Sequence, residues 1–417
     1  MQIQSPKGTR DILPSDIQTW QWVEKVARSV FETYGYQEIR TPIFESTELF
    51  VRGVGDTTDI VEKEMYTFDD KANRSITLRP EGTAPVVRAI LQNRLLEGTN
   101  VLKLYYNGRM YRYERPQKGR FREHWQVGVE AFGAAGAAVD AEVITLAHHF
   151  YTTLGFKDLM LHLNTIGDRA CRPNYVAELK AFTKSRLDQF CNECQGRYER
   201  NPLRLFDCKR GCREILNEGP RLVDYLCEPC RHHFDSVKRY LELSQIDYTE
   251  NPDLVRGMDY YSRTTFEFTA GGLGAQNAIG GGGRYDYLVE ELGNKPTPGI
   301  GFGLGVDRII LALEAQEVAI PTQPPVAVFI AVLGDEAMLV AFQLAQRLRL
   351  GGIRTELEHT GRSLKAQMKT ANKLDARYVV ILGEDEIRDE TATVRDMETG
   401  DQQSIAFDQL AEKLRTH

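Results

Sequence analysis

The sequence predicts an α+β protein, and three stretches of the chain support that prediction. Residues 102–132 contain two aromatic-rich runs separated by a charged loop, which favours a pair of strands. Residues 172–247 show helical charge patterning with few strand signals, and strands alternate with helices after residue 326. Because 417 residues exceed a single hydrophobic core, we expect two or three domains.

The strand pair is the most informative stretch. Leu102–Arg112 predicts one strand, Pro116 and Gly119 interrupt the pattern, and Phe121–Phe132 predicts the return strand. Gly128 would leave room for a small ligand to lie across the return strand. Alternation places on one face of that strand Trp125, Val127, Val129 and Ala131, which are typical of packing, and on the other Gln126, Gly128, Glu130 and Phe132.

Positive charge is concentrated around the turn of this hairpin. The basic side chains are Arg109, Arg112, Arg115, Lys118, Arg120 and Arg122. Such a density indicates an anionic ligand. A solvated, charged hairpin tip would have the same composition, so the stretch alone leaves both interpretations open.

The chain before the hairpin predicts a helix and an edge strand. Ser15 and Gln18 have the spacing of a capping box, and apolar residues follow at helical spacing. Glu38–Ile43 predicts a strand, which Pro42 would confine to a sheet edge.

Four short motifs stand out from the helix and strand patterns: RPEGT at 79–83, LVRGMDYY at 254–261, GGGGRYD at 280–286 and GIGFGLGVDR at 299–308. In the first, Thr83 could cap the following helix, and helix capping alone would account for both Glu81 and Thr83. The consecutive glycines of the third would let a ligand approach the backbone, although a flexible surface loop is the alternative. None has the G-x-G-x-x-G spacing of a dinucleotide site after a strand.

Six of the seven cysteines lie in the helical stretch, as Cys191-x-x-Cys194, Cys208-x-x-x-Cys212 and Cys227-x-x-Cys230. Two C-x-x-C pairs at this separation are a signal for a structural zinc. Buried free thiols, which pack as small apolar side chains, give the same pattern. The sequence therefore leaves the metal unassigned.

Composition narrows the class of protein. The N-terminus lacks the apolar segment of a signal peptide, and no apolar run is long enough to span a membrane, so we expect a cytoplasmic protein without disulfides. The formal net charge of −7 does not indicate a nucleic-acid binder, although a binding footprint can be local. Gln323-Pro-Pro325 predicts a linker, and Val326–Leu333 then predicts a buried strand that opens a compact α/β domain.

Taken together, these motifs resemble those of the histidyl-tRNA synthetases, a family of class II aminoacyl-tRNA synthetases. RYERPQKGRFREHWQ resembles the second class II motif, residues 299–308 the third, and the helix with the Pro42 strand the first, while LVRGMDYY and GGGRYD resemble two signatures of the histidine enzymes. The resemblance covers nearly the whole chain. It implies an antiparallel-sheet catalytic domain at 1–322 with a helical insertion at about 172–247, an anticodon-binding α/β domain at 323–417, and a homodimer.

The resemblance also implies a reaction: ATP-dependent attachment of L-histidine to tRNA(His) through a histidyl-adenylate, with Mg²⁺ accompanying the ATP. The nucleophile, a carboxylate, is already anionic, so the first step needs charge stabilisation and positioning more than a general base. The resemblance assigns to ATP the residues Arg112, Arg256 and Arg308, the first two being catalytic, and to histidine Glu81, Thr83, Gln126, Glu130, Tyr260, Tyr261 and Tyr285. At the hairpin tip, the residues expected to contact tRNA are Gln117, Lys118 and Arg120.

Two rival classes of protein fit the sequence less well. A non-catalytic regulatory paralogue from histidine biosynthesis would typically lack the anticodon-binding domain and the phosphate-binding arginines, whereas Arg112, Arg256 and Arg308 are all present. A generic ATP-binding RNA chaperone would not need the two histidine signatures. One stretch, Glu123-His-Trp125, lies where the family varies, so contacts with the acceptor stem there are left open.

Overall fold

The structure, a computed structural model, describes residues 3–208, 210–274, 277–293, 295–321 and 326–415. The chain divides into two compact units, Met1–Pro321 and Thr322–His417. Each cluster of buried apolar side chains lies within one unit, so each unit has its own core. The predicted linker Gln323-Pro-Pro325 lies outside the described residues. Within the described ranges, no helix combines the length and apolarity needed to cross a membrane.

The strands of the N-terminal unit are, in chain order, β1 (Gln37–Glu38), β2 (Phe44–Ser46), β3 (Tyr66–Asp69), β4 (Ser75–Leu78), β5 (Leu102–Tyr111), β6 (Glu123–Phe132), β7 (Leu159–Thr165), β8 (Tyr248–Glu250), β9 (Ser262–Ala270), β10 (Ala278–Arg284) and β11 (Gly299–Gly305). Its helices are α1 (Ile17–Thr33), α2 (Thr47–Val54), α3 (Thr83–Gln92), α4 (Ala137–Thr153), α5 (Arg172–Lys184), α6 (Asn192–Arg200), α7 (Cys212–Leu216), α8 (Glu228–Leu243), α9 (Leu288–Gly293) and α10 (Val306–Ala315).

One large sheet organises this unit. Its strand order is β1-β5-β6-β11-β10-β9-β7-β8, and β2-β4-β3 form a separate small sheet. Every neighbouring pair in the central run β5-β6-β11-β10-β9-β7 is antiparallel. The two outermost pairs, β1 with β5 and β7 with β8, are parallel. The predicted antiparallel-sheet core is therefore confirmed.

The central hairpin has the predicted register and faces. β5 and β6 pair from Leu102 with Phe132 to Tyr111 with Glu123. The apolar face of β6 packs into the core shared with α1 and α4. The prediction for Gly128 was wrong, because a Cβ at this position would lie 2.3 Å from the Tyr106 ring. Tyr106 on the paired strand thus fills the space that the sequence left for a ligand.

The start of the chain departs from two local predictions. The capping box is absent: the N-cap of α1 is Asp16, and the Ser15 hydroxyl donates to the Asp16 carboxylate at 3.0 Å. The predicted strand at 38–43 is also shorter, because β1 ends at Glu38 and Pro42 lies between β1 and β2. β1 is an edge strand of the large sheet, as a neighbouring proline favours.

The stretch from residue 172 to residue 247 contains α5 to α8 and three short 3₁₀ segments, and no strand among its described residues. It is not a separate unit. Its apolar side chains share a core cluster with Tyr260, Tyr261 and Tyr285, while α8 packs on α4. The insertion is therefore built against the large sheet.

The C-terminal unit contains β12 (Val328–Val332), α11 (Asp335–Leu350), β13 (Thr355–Leu357), α12 (Leu364–Lys373), β14 (Tyr378–Leu382), α13 (Glu384–Arg388), β15 (Thr391–Asp396), β16 (Gln402–Ala406) and α14 (Leu410–Lys413). Its sheet has the order β13-β12-β14-β15-β16. β12 is parallel to both of its neighbours and is buried along its whole length, as its unbroken apolar sequence predicts.

Candidate active site

A cleft of about 720 Å³ opens on the polar face of the large sheet. Gln126 of β6, Gly281 of β10 and Gly303 of β11 line its floor. Its walls come from the turn before α3, the hairpin loop, the segment 254–261 and the insertion. The sheet thus brings together residues from all four motifs singled out in the sequence.

A buried carboxyl group lies directly behind the wall of this cleft. Glu130 is fully buried, and the Thr83 hydroxyl donates to its Oε1 at 2.7 Å. The Tyr285 hydroxyl donates to its Oε2. Thr83 lines the cleft, so Glu130 and Tyr285 lie one contact behind the surface that a ligand would meet. Gly301 makes this arrangement possible, because a Cβ there would lie 2.0 Å from Glu130 Oε2.

The side chain of Glu81, and not that of Thr83, caps the N-terminus of α3. Its carboxylate accepts the Thr83 amide at 2.7 Å and the Ala84 amide at 2.8 Å. Thr83 makes no side-chain cap and bonds Glu130 instead. Burial raises the pKa of Glu81. Helix capping, the alternative role for these two residues, therefore holds for Glu81 and not for Thr83.

Aromatic rings enclose the same pocket. Tyr260 packs on Tyr261 with ring centroids 4.7 Å apart and on Tyr285 at 5.6 Å. Tyr106 donates its hydroxyl to Gln126 Oε1 at 3.5 Å. Tyr106 was missed in the sequence, although its cross-strand pairing with Gly128 is the signal that could have revealed it.

Arg112, Arg256 and Arg308 all line the cleft. Arg112 Nε donates to the Pro80 carbonyl at 2.8 Å, and its Nη1 lies 3.8 Å from Glu114. Arg308 Nε donates to the Ala278 carbonyl at 2.6 Å. The guanidinium groups of Arg112 and Arg308 are thus each held by a backbone carbonyl while facing the cleft, an arrangement suited to binding anions.

Arg256 is held differently. Its Nη1 donates to Glu267 at 2.8 Å, and its buried Nε has no hydrogen-bond partner among the described residues. Burial lowers the pKa of Arg256, but the Glu267 carboxylate, Tyr261 and Tyr260 together outweigh burial, so the net effect is a raised pKa. Gly281 lies alongside, where a Cβ would come within 3.0 Å of Arg256 Nη1. A charged donor without a partner in a buried cleft indicates a ligand contact.

The hairpin tip divides the residues predicted to contact tRNA. Gln117 and Lys118 are exposed, whereas Arg120 lines the cleft 3.6 Å from Glu114. Gly119 adopts a φ of 74°, and a Cβ there would lie 2.6 Å from Leu311 of α10. This turn folds Arg120 back towards Arg308, so Arg120 lines the same cleft as Arg112 and Arg308, whereas Gln117 and Lys118 are exposed at the tip.

The arginine of GGGGRYD does not reach the cleft. Arg284 is fully buried, pairs with Asp140 of α4, and donates to Asp286 at 2.9 Å. His233 of α8 also contacts Asp140, at 2.9 Å. This motif therefore serves two purposes: its Gly281 lines the cleft, and its arginine ties the sheet to α4, which the insertion also contacts through His233.

Comparisons with known proteins agree with this geometry. The family model for histidyl-tRNA synthetase matches residues 8–309, and the model for the anticodon-binding domain matches residues 327–417. The chain belongs to the histidyl-tRNA synthetase family. It is 53% identical over 411 residues to the histidine–tRNA ligase of Pelotomaculum thermopropionicum, covering 98% of this chain and 97% of that one. The histidine–tRNA ligase of Caldanaerobacter subterraneus is 49% identical over 416 residues, covering all of both chains.

The fold matches solved members of the family. The structure of apo S. aureus histidyl-tRNA synthetase superposes with a TM-score of 0.85 at 38% identity and covers 100% of both chains. The predicted fold class, family and enzyme class are thus confirmed.

Several lining residues of this synthetase cleft were not predicted. The insertion contributes Glu193, Arg197, Arg204, Asp207 and Arg210, and the sheet contributes His124 and Glu267. Burial, with a smaller contribution from nearby Arg112, lowers the pKa of His124 to about 3, so its imidazole is neutral at physiological pH.

Arg197 and Arg204 of the insertion pair with Asp59 at 3.0 and 2.9 Å. Only the charge density of the insertion hinted at this wall.

Glu130 should make the folding stability of the protein depend measurably on pH. Burial raises its pKa to about 8, despite hydrogen bonds from Tyr285 and Thr83 that favour the charged form. An unfolded glutamate titrates near 4.3, so between about pH 4.3 and 8 the folded chain holds a proton that the unfolded chain has released. Stability relative to a Glu130→Gln variant should therefore fall as pH rises through this window, by roughly a few kcal/mol. Urea unfolding of both proteins at several pH values measures it, and a constant difference would contradict the assignment.

Proposed function

We propose that this chain attaches L-histidine to tRNA(His) in two steps, through a histidyl-adenylate, with release of pyrophosphate and then AMP. The proposal rests on one observation: three arginines line the same cleft as Thr83, whose hydroxyl donates to the buried carboxyl group of Glu130. One side suits the phosphates of ATP and the other an imidazole. Membership of the histidyl-tRNA synthetase family supports the same reaction.

In the first step an oxygen of the histidine carboxylate bonds to the α-phosphorus, and the bond from that phosphorus to the bridging oxygen of pyrophosphate breaks. The chain's contribution is to hold both anions together and to stabilise the charge on the phosphorus oxygens. We assign this to Arg112 and Arg256, with Arg308 binding ATP. The unpartnered Nε of Arg256 is available to a phosphate or carboxylate oxygen. The fixed fork of arginine suits two-point contact with either group.

Recognition of histidine is assigned to Glu130 and Tyr261, with Tyr285 and Tyr260 enclosing the ring. An imidazole N–H donating to Glu130 would favour its ionised form and so lower its raised pKa. An amino acid without a side-chain N–H would make no hydrogen bond to Glu130, so this contact supports discrimination in favour of histidine. The ammonium group is assigned to Glu81, Thr83 and Gln126.

ATP is expected to enter as its magnesium complex, and the cleft offers the oxygen ligands that Mg²⁺ prefers. Glu64 and Glu114 both line the cleft. Burial raises the pKa of Glu64, and the negative charge of Glu114 adds to that effect. A carboxyl group whose ionisation is disfavoured by burial and by a neighbouring carboxylate is stabilised in its charged form by a divalent cation. These two residues would hold the ion, which neutralises phosphate charge when bound.

The exposed hairpin tip is assigned to the acceptor end of tRNA through Gln117 and Lys118, with Arg120 facing both the tip and the cleft. Replacing Lys118 with alanine should weaken tRNA binding and reduce the slope of log affinity against log salt by about 0.7–0.9. Lys71 is an exposed control in the β3–β4 turn, and its alanine variant should keep the wild-type slope. Equal slopes for the Lys118 and Lys71 variants would remove the tip from the tRNA interface.

A homodimer is proposed from the resemblance of the α1–β1 segment to the first class II motif. Exposed apolar side chains support it: Ile43, Phe44 and Phe68 are 47%, 51% and 47% accessible. Phe44 and Phe68 belong to the small sheet β2-β4-β3. Burying such residues between subunits is favourable. Sedimentation of the wild type as a monomer at micromolar concentration would contradict this.

The test of the overall reaction is the transfer of labelled histidine to tRNA. We expect ATP-dependent, acid-stable labelling of tRNA(His) and none of a tRNA specific for another amino acid. A regulatory paralogue would bind histidine and leave the tRNA unlabelled, so absence of labelling by folded protein would favour that class.

A further inference from the structure

The insertion brings its cysteines together in two groups that differ from the pairing suggested by spacing. Cys191, Cys194, Cys208 and Cys212 form one group, and Cys171, Cys227 and Cys230 lie with Asp168 in another. In each group the potential ligand atoms lie within 4.8 Å of one another. The two C-x-x-C pairs therefore do not share a site, and Cys208-x-x-x-Cys212 supplies the missing half of the first group.

The first group has the dimensions of a tetrahedral thiolate site. Cys191 Sγ and Cys208 Sγ are 3.9 Å apart. Zinc–sulfur bonds of about 2.3 Å in tetrahedral geometry place sulfurs about 3.8 Å apart. A disulfide needs a separation of about 2.05 Å, so the observed spacing fits a shared ion and does not fit a bond between the sulfurs.

Backbone amides already point at these sulfurs. The Cys191 amide donates to Cys212 Sγ at 3.2 Å, and the Arg210 amide donates to Cys208 Sγ at 3.3 Å. Such N–H···S contacts stabilise thiolate charge and orient the ligands around a metal. Cys194 and Cys212 are buried, whereas Cys191 and Cys208 are half-buried, so the group is enclosed but reachable from the surface.

The second group is engaged in other contacts. Asp168 Oδ2 accepts a hydrogen bond from the Arg263 guanidinium at 3.2 Å, and Asp168 Oδ1 accepts one from the Ala170 amide at 2.9 Å. The carboxylate is thus already neutralised by an arginine, and three thiols remain around it. This group serves as an internal comparison for the first.

We propose that Cys191, Cys194, Cys208 and Cys212 bind one structural zinc ion. The four ligands enclose the segment 191–212, whose Glu193, Arg197, Arg204, Asp207 and Arg210 line the cleft. A metal at the ends of this segment fixes that wall of the cleft against the sheet. All four ligand positions are protein thiolates, so the ion has no open position for catalysis.

The wild-type protein provides the first test. Protein purified without chelator under reducing conditions, or reconstituted with zinc chloride, should carry one zinc equivalent that survives gel filtration. Replacement by cobalt(II) should give the sulfur-to-metal charge-transfer and intense visible bands of a tetrahedral thiolate site. Protein that takes up no metal under either condition would overturn the proposal and leave four packed thiols.

A matched pair of serine variants locates the ion. Cys191 and Cys227 are both N-cap residues, of α6 and α8, with almost the same backbone angles: φ −64° and ψ 156° against φ −68° and ψ 157°. Serine is a favourable N-cap, so both variants should keep their helices. Cys191→Ser should lose zinc to a competing chelator, whereas Cys227→Ser should retain one equivalent. Retention by Cys191→Ser with loss by Cys227→Ser would place the ion in the other group and refute the proposal.

If Cys191→Ser does not fold, the cobalt spectrum of the wild type decides: bands of four thiolate ligands support the site, and bands of fewer thiolates refute it. All of these measurements report metal content and ligand type. Their outcome is therefore independent of whether the chain acylates tRNA.

Discussion

Arg256→Ala should slow histidine-dependent exchange of pyrophosphate into ATP by about 100- to 1,000-fold, which corresponds to losing about 2.7–4 kcal/mol of transition-state stabilisation. Its guanidinium is held by Glu267 at 2.8 Å and keeps one buried donor for the ligand. Because the tRNA contacts are assigned elsewhere, tRNA affinity should change little. Arg256→Lys should restore only part of the rate, since an ammonium group lacks the two-point fork.

Arg263 provides the matched control for this experiment. Like Arg256 it is partly buried and pairs with a carboxylate: the exposed fractions of the Arg263 and Arg256 side chains are 23% and 18%, and Arg263 lies 3.2 Å from Asp168. Arg263 does not line the cleft. Its alanine variant should therefore lose stability but keep exchange once folded. Equal effects of the two substitutions would remove Arg256 from the mechanism.

Removal of the C-terminal unit after Pro321 should separate the two steps of the reaction. The phosphate-binding candidates and the buried Glu130 all lie in the N-terminal unit, whose core clusters contain no residue of the C-terminal unit. Exchange should stay within about twofold of wild type. Aminoacylation should fall by about 10²–10⁴-fold in kcat/KM for tRNA, the range expected when one of two linked binding modules is lost.

Both activities should be measured on one preparation of the truncated chain, with folding checked by circular dichroism. Loss of exchange in a folded protein would show that the C-terminal unit contributes to activation. Undiminished aminoacylation would show that it contributes little to tRNA binding.

Local patterns predicted the hairpin well because alternation directly determines which side chains share a face. That is why the sequence alone places Gln126 and Glu130 together on the cleft side of β6. The same reasoning failed at Gly128, where the space is filled by Tyr106 from the neighbouring strand. A single-strand pattern carries no information about the side chain opposite.

Contacts between distant parts of the chain were the main omission. Arg197 and Arg204 reach Asp59 across well over a hundred residues, and the C-x-x-C pairs are divided between two clusters. These groupings depend on how the insertion packs against the sheet, which periodicity does not encode. The family resemblance supplied the arginines and histidine-binding candidates, whereas the wall formed by the insertion became visible only in three dimensions.

The most direct measurement is pyrophosphate exchange driven by each standard amino acid in turn, with ATP and Mg²⁺ but without tRNA. We expect rapid exchange with L-histidine and only background exchange with every other amino acid, because recognition of the imidazole is assigned to the Glu130 carboxyl and the Tyr261 hydroxyl. Exchange driven by a different amino acid, or none at all from folded protein with intact Arg112, Arg256 and Arg308, would contradict it.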